Sequence, residues 1–380
     1  MEHPPGAGRS LPPPCAGKAD VLSVPEAAAV QAADAPHDAP SDPLRTARAL
    51  RAQAIAALGA ALGSDASVPY ALLDFPRYAN VGDSAIWLGT RAALDALGFP
   101  PPAYTCDERT FDARALERRV GRGPILLRGG GNFGDLHRKH QRLREAVAVA
   151  FPDNDVVQLP QTLHFRSPAA REQARRVLGA HRRLRVLVRD EASLAEATHA
   201  LGLDARLAPD LAFGFTPPPR APTAPSLLLW LSRADAWRRF EPPAPAPGLE
   251  VSDWPPEGNP WLRRKMRALV AAHRWGVARV LPLRAPLSRT YDPLARWRVD
   301  RALAWMSRAS VVVTDRLHGH ILAVMTGTPH VLLDDALGKL RAFHDAWTRD
   351  SGLATWAEGP ADALARAEDL LRTGTANRVP

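Results

Sequence analysis

The run Asp315-Arg316-Leu317-His318-Gly319 sets a carboxylate, a guanidinium and an imidazole close together, where the β-prone stretch Ser310 to Thr314 gives way to a helical one. A guanidinium grips planar anions through paired donors, an imidazole exchanges protons near neutral pH, and the free N–H groups of a helix start add partial positive charge. Together they suit a small anionic ligand. The plainer reading makes Asp315 a helix cap, pairs Arg316 with a surface acid, and leaves His318 and His320 as ordinary side chains.

Four other segments stand at the carboxyl ends of expected strands. Leu127-Arg128-Gly129-Gly130-Gly131-Asn132-Phe133-Gly134-Asp135 formally contains G-x-G-x-x-G. A dinucleotide site would also need an acid at the end of the next strand, where Gln158 and Leu159 stand instead. Gly129, Gly130 and Gly131 can still bring backbone N–H groups close to an anion. In Tyr78-Ala79-Asn80-Val81-Gly82-Asp83-Ser84, the residues Asn80, Gly82 and Asp83 could hold an anion or a sugar hydroxyl, with Asp83 or Ser84 as a simple cap in the alternative. Leu159-Pro160-Gln161-Thr162-Leu163-His164-Phe165 offers an amide, a hydroxyl and an imidazole, and in Val188-Arg189-Asp190-Glu191-Ala192-Ser193 a strand ends on Arg189 while Asp190 is placed to cap a helix. No His, Asp or Glu cluster has metal-ligand spacing, and His318 and His320 sit badly for one helix face, so no metal is expected.

These segments need a scaffold that aims them at one place. Apolar residues recur at helical spacing from Leu44 to Leu62, ending near Gly63. Short strands then alternate with helices: Tyr70–Asp74, the helix Ser84–Leu97, Pro124–Leu127, the helix Arg138–Ala150, Asp155–Leu159, the helix Ala169–Leu178, and Arg185–Val188. After the proline-rich stretch Thr216–Pro222 a second set follows: Ser226–Trp230, the helix Leu262–His273, Ala278–Leu281, the helix Arg296–Met306, Ser310–Thr314, the helix His320–Met325, and His330–Leu333. Such alternation predicts an α/β fold of two Rossmann-like domains facing across a cleft, with ligands at the carboxyl ends of the strands. The expected divisions are a disordered Pro/Ala-rich tail over 1–42, an N-terminal domain over 43–215, a C-terminal domain over 223–345, and a final helix and tail over 346–380. Which half the last helix, Pro360 to Leu371, packs against is left open.

Composition narrows the function classes. The 380 residues are 46% apolar and 23% charged, as in globular proteins, with 37 prolines that require irregular segments. A net charge of +9, mostly arginine, favours anionic partners without choosing among phosphates, carboxylates, nucleic acid and acidic lipid. Only Cys15 and Cys106 occur, which argues against a disulfide framework and suits a reducing cytoplasm. The N-terminus lacks the features of an export signal, and no apolar run reaches the length of about 18 residues needed to span a membrane.

Taken in order, Asn80-Val81-Gly82-Asp83, Gly129-Gly130-Gly131, Leu159-Pro160-Gln161-Thr162, Arg189-Asp190-Glu191-Ala192-Ser193, Ala208-Pro209-Asp210 and Asp315-Arg316-Leu317-His318-Gly319 resemble the polysaccharide pyruvyl transferase family. The resemblance runs from roughly Ala71 to Lys339 and matches poorly from Arg233 to Asn259. It implies a GT-B-like transferase that takes phosphoenolpyruvate as donor, needs no further cofactor, and places pyruvate as a ketal on two hydroxyls of a lipid-linked or polymeric glycan. Arg189 and Arg316 then grip the donor's two anionic ends, with Gly319 beside them. His318 is the general acid, and His164 is a candidate for activating the acceptor hydroxyl. Peripheral association with an acidic membrane surface is part of the same expectation.

Two alternatives belong to other classes. A nucleotide-sugar glycosyltransferase of the same architecture calls for a ribose-binding acid, and Glu358 stands too far beyond Asp315 to supply it. A nucleic-acid-binding protein would use basic helices such as Arg263–Arg267 and Arg296–Arg301, but the interleaved Trp261, Trp275, Trp297 and Trp305 read rather as a core-facing stripe, and no nucleic acid is expected.

Overall fold

Two all-parallel sheets carry the chain. The computed structural model describes residues 42–63, 65–219, 227–256, 260–274 and 284–376, so the expected tail up to residue 41 and the expected strand Ala278–Leu281 lie outside the described residues, as does the linker from 220 on. The first sheet comprises β1 (Ala71–Leu73), β2 (Tyr104–Cys106), β3 (Ile125–Leu127), β4 (Gly130–Gly134), β5 (Val156–His164), β6 (Leu184–Val188) and β7 (Asp204–Leu207). Its order is β2-β1-β3-β5-β6-β7, with β4 also paired to β5. The second comprises β8 (Leu228–Leu231), β9 (Leu249–Ser252), β10 (Val311–Thr314), β11 (His330–Leu332) and β12 (Ala354–Trp356), in the order β12-β11-β10-β8-β9. The central strands β1, β3, β8 and β10 are near-continuous runs of Leu, Val, Ile and Ala buried throughout, as strands covered on both faces must be.

Each sheet lays one strand on one side of its first strand and the rest on the other, which is the second common doubly wound order. The direction of winding therefore reverses between β1 and β3 and again between β8 and β10. Crevices open at the carboxyl ends of strands where that reversal occurs.

The helices are α1 (Arg45–Leu62), α2 (Val81–Ala96), α3 (Ala113–Val120), α4 (Arg138–Ala150), α5 (Pro168–Gly179), α6 (Glu191–Ala195), α7 (Pro260–Arg274), α8 (Arg284–Met306), α9 (Leu317–Met325), α10 (Lys339–Phe343) and α11 (Pro360–Ala376). Side chains of Asn80, Asp112, Ser167 and Asp190 cap α2, α3, α5 and α6, each accepting from an N–H three residues on. Helix α11 packs on β8, β10 and β11 of the second sheet.

The proline-rich stretch separates the two sheets but not their cores. One apolar cluster joins Leu72, Leu126 and Val157 of the first sheet to Leu229, Leu231 and Val312 of the second through α1, α2, α8 and α9. Two smaller clusters cover the outer face of each sheet. Both sheets belong to one body that begins at Asp42.

Candidate active site

The first sheet sets a buried network of paired charges behind the cleft. At the end of β3, Arg128 is fully buried; its Nε donates to the Asp74 carbonyl (2.7 Å) and its Nη1 to Asp83 Oδ1 (2.6 Å) and the Gly129 carbonyl (2.9 Å). Asp74 takes hydrogen bonds from His140 Nδ1 (2.6 Å) and Asn132 Nδ2 (3.0 Å). Neither Asp83 nor Ser84 caps α2. Asn80 does so, accepting from the Asp83 N–H, which leaves the Asp83 carboxylate free to face Arg128. Burial opposes the charge on Asp83, but Arg128, and then His318, outweigh it and hold the carboxyl below the usual range.

The three glycines divide their work. A Cβ on Gly129 would stand 2.5 Å from the Pro160 carbonyl oxygen, and Gly130 has φ +127°, where side chains are strained. Gly131 alone of the three lines the cleft. Gln161 is spent on holding this loop: its Oε1 accepts from the Asn132 N–H (3.1 Å), and its Nε2 donates to the Arg128 carbonyl (3.1 Å) and Asn132 Oδ1 (2.7 Å). Gly129, Gly130 and Gln161 are thus scaffold behind the surface that Gly131 presents.

Arg189 leaves the end of β6 as expected. Its Nη1 donates to Asp210 Oδ2 (2.5 Å) and its Nε to Thr162 Oγ1 (2.9 Å), whose hydroxyl donates on to Asp190 (2.8 Å). Its Nη2 points towards Gly131, 3.3 Å from where a Cβ there would stand.

From the second sheet, the turn between β10 and α9 delivers Arg316 and His318. Asp315 does not cap α9, because its carboxylate accepts instead from the Arg233 N–H (2.9 Å) and the Ser232 hydroxyl (3.2 Å) of the neighbouring strand end. Burial pushes its carboxyl upward. Arg316 pairs with Asp253, while its Nε is buried without a hydrogen-bond partner. His318 packs on Gly82, where any Cβ would collide with the ring, and its Nε2 lies 3.6 Å from Asp210 Oδ2. Asp210 is fully buried; burial opposes its charge, but His318 and Arg189 overcome that and keep its carboxyl far below the usual range. Gly319 is required by close packing, since a Cβ there would stand 2.5 Å from the Thr314 hydroxyl oxygen. His320 turns away from the cleft into the interior.

These groups share one cleft between the two sets of strand ends. Asn80, Asp83, Gly131, Arg189, Arg316 and His318 line it, with Gly82 packed against His318 and Gly319 against Thr314 and Leu231. His164, at the end of β5, is not in its lining; His137 is. Burial, and then the neighbouring His140, lower the affinity of His137 for a proton.

Sequence reasoning missed Arg233, Lys339, His137, Trp237 and Trp254, all of which line the cleft. Lys339 opens α10, and burial followed by the nearby Arg189 brings its ammonium down to about 8. A signal was present, since Lys339 is one of only four lysines among 49 basic residues and follows the strand end at Asp334-Asp335. The others come from loops whose course only the folded sheet reveals.

The family described as polysaccharide pyruvyl transferase matches residues 80–335. Pyruvyl transferase 1 of Schizosaccharomyces pombe is 29% identical over 303 residues, covering 73% of this chain and 69% of its own length. EpsO of Bacillus subtilis is 27% identical over 277 residues, covering 72% of this chain and 84% of its own. A crystal structure of a functionally uncharacterised Klebsiella pneumoniae protein shares the fold, with a TM-score of 0.52 at 14% identity over 82% of this chain and 99% of that one.

Proposed function

The chain belongs to the polysaccharide pyruvyl transferase family, and from that premise we propose that it transfers the pyruvyl group of phosphoenolpyruvate to two hydroxyls of a cell-surface or exopolysaccharide glycan as a ketal. The observation that carries this reading is the convergence of Arg189, Arg316, Lys339 and Arg233 with His318 in one cleft. A donor bearing a carboxylate and a phosphate within a few ångströms needs separate cationic holds, and a guanidinium suits each planar or tetrahedral anion. The opposed sheets, with strand ends meeting at the cleft, are read as a GT-B-like arrangement.

In this scheme His318 protonates the enol methylene, which makes the adjacent carbon electrophilic. A sugar hydroxyl adds there, the C–O bond to phosphate breaks, and a second hydroxyl closes the ring. Two hydroxyl protons are released: one restores His318 and the other leaves with phosphate. Asp210 and Asp83 on either side orient the imidazole. His137, standing in the cleft and inclined to be neutral, takes the place proposed for His164 as acceptor of a hydroxyl proton.

The test incubates the protein with phosphoenolpyruvate and bacterial glycans, following phosphate release and an acid-labile mass gain. His318→Ala is expected to lose turnover while keeping donor binding, and Arg316→Ala to weaken donor binding itself. Wild-type turnover in both variants, or thermal protection by nucleotide sugars and not by phosphoenolpyruvate, overturns the assignment.

A cytoplasmic site of action at the inner membrane face is part of the proposal. No helix among the described residues is long and apolar enough to cross a membrane. Helix α7 has no acidic residue and exposes Trp261, Arg263, Arg264, Lys265 and Arg267 while burying Met266 and Val270. An indole among cations suits the headgroup region of acidic lipid. Co-sedimentation with phosphatidylglycerol vesicles but not phosphatidylcholine vesicles at low salt is expected, and its absence removes this part.

A further inference from the structure

The cleft is lined by two kinds of side chain that suit two kinds of ligand. Arg189, Arg316, Lys339 and Arg233 answer to an anion. A neutral sugar offers no charge to grip, and the apolar face of a pyranose ring is recognised instead by an aromatic plane. Trp237 and Trp254 supply such planes from the loops that follow the adjacent parallel strands β8 and β9. The third aromatic residue of the lining, Tyr78, has its hydroxyl tied to Arg128 (3.3 Å).

Both tryptophans are held before any ligand arrives. The Trp237 N–H donates to Asp235 (3.1 Å), its carbonyl accepts from the Ala336 N–H (3.1 Å), and Arg166, which does not line the cleft, lies 4.8 Å over its ring. Trp254 is half-packed against the central core, and its N–H donates to Asp253 Oδ1 (2.6 Å). Asp253 Oδ2 accepts the Arg316 guanidinium and the Ala234 N–H (3.1 Å). One carboxylate therefore joins both aromatic loops to an arginine of the anion site. Neither indole N–H has a hydrogen-bond partner among the described residues, which leaves two donors for sugar hydroxyls.

We infer that Trp237 and Trp254 form a stacking platform for a pyranose ring of the acceptor, set in register with the donor through Asp253. This rests on the glycan-acceptor reading above and assigns it to residues of the very stretch, Arg233 to Asn259, that the family resemblance matches poorly. The platform is the part of the site that selects the sugar, whereas Arg189, Arg316 and His318 serve the donor.

The test is saturation-transfer NMR on the full chain with three neutral probes: methyl α-glucopyranoside, methyl α-galactopyranoside and methyl α-mannopyranoside. Transfer to ring protons of at least one probe is expected without phosphoenolpyruvate. It should persist in Trp237→Phe and Trp254→Phe, and weaken on the order of tenfold in Trp237→Ala and Trp254→Ala. Transfer to none of the probes, or equal transfer in both alanine variants, overturns the platform. The thermal shift induced by phosphoenolpyruvate is measured on the same samples. A normal shift without sugar transfer sinks the platform alone, and sugar transfer without any shift sinks the donor reading while the platform stands.

Discussion

The proposed acid His318 keeps its place only if nothing fills the space its imidazole rests on, and that space is the absent side chain of Gly82. Gly82→Ala is expected to leave the fold and donor binding intact while lowering turnover on the order of a hundredfold, because misplacing a reacting group by about 1 Å costs that much. Single-turnover kinetics beside donor titration separate the two effects. Lys339 makes the second prediction at this scale. Its ammonium is brought down to about 8, so it is charged below that pH and neutral above it. Donor binding should weaken as pH rises through about 8, and Lys339→Arg, which stays charged, should flatten the profile. Calorimetry in two buffers of different ionisation enthalpy should show proton uptake on donor binding above pH about 8. For stability the sign is opposite: folding disfavours the charged amine, so the penalty fades as pH climbs from about 8 towards the ordinary lysine value.

Helix α9 presents His318 to the cleft and His320 to the interior, and the interior side is as demanding. His330 Nδ1 donates to the Thr328 carbonyl (2.8 Å), so His330 Nε2 must accept from His320 Nδ1 (2.7 Å), and His320 Nε2 accepts from the Thr348 hydroxyl (2.7 Å). The chain is complete with both rings neutral. Burial pushes His330 down to about 4 and, with His330 itself, pushes His320 well below its ordinary value. Stability tied to these rings is present above the unfolded histidine value and lost as pH falls through it; by pH about 5 the His330 share is about 2 kcal/mol. His330→Gln should remove about one proton from the pH dependence of unfolding between pH 7 and pH about 5, read by denaturant titration. Element types were legible because their causes are local: apolar period, a capping Asp190, and runs such as Val311 to Thr314, whereas the cap of α2 proved to be Asn80 and not Asp83 or Ser84. Extents were less so. Strand β5 runs on through Pro160 to His164 because β4 and β6 continue beside it across register shifts, and α8 absorbs Pro293 and begins at Arg284, well before Arg296. Long-range pairing decided both.

Across the whole molecule, the two sheets are fastened by side chains far apart in sequence. Arg298 donates to the carbonyls of Pro76 (2.7 Å) and Arg77 (3.1 Å), Trp87 Nε1 donates to Asp292 (2.7 Å), and the Trp347 indole reaches the Arg189 carbonyl (2.9 Å). The strand ends carrying Arg189, Arg316 and His318 were legible as site elements, since their residue types declare anion binding and proton transfer. Lys339, Arg233 and the two tryptophans were not, because their role comes from the strand order that seats their loops at the crevice. The ion pairs of the cleft have a further consequence. Arg189 keeps Asp210, Arg316 keeps Asp253, and Arg233 keeps Asp235, whereas Lys339 has no ion-pair partner among the described residues. If the proposed reaction is the one catalysed, a bare set of guanidinium groups would hold inorganic phosphate long after the ketal had formed. Here each arginine has its own counter-ion waiting, so in the proposed reaction the departing phosphate would compete with a resident carboxylate, and its escape need not slow the next turn of the cycle.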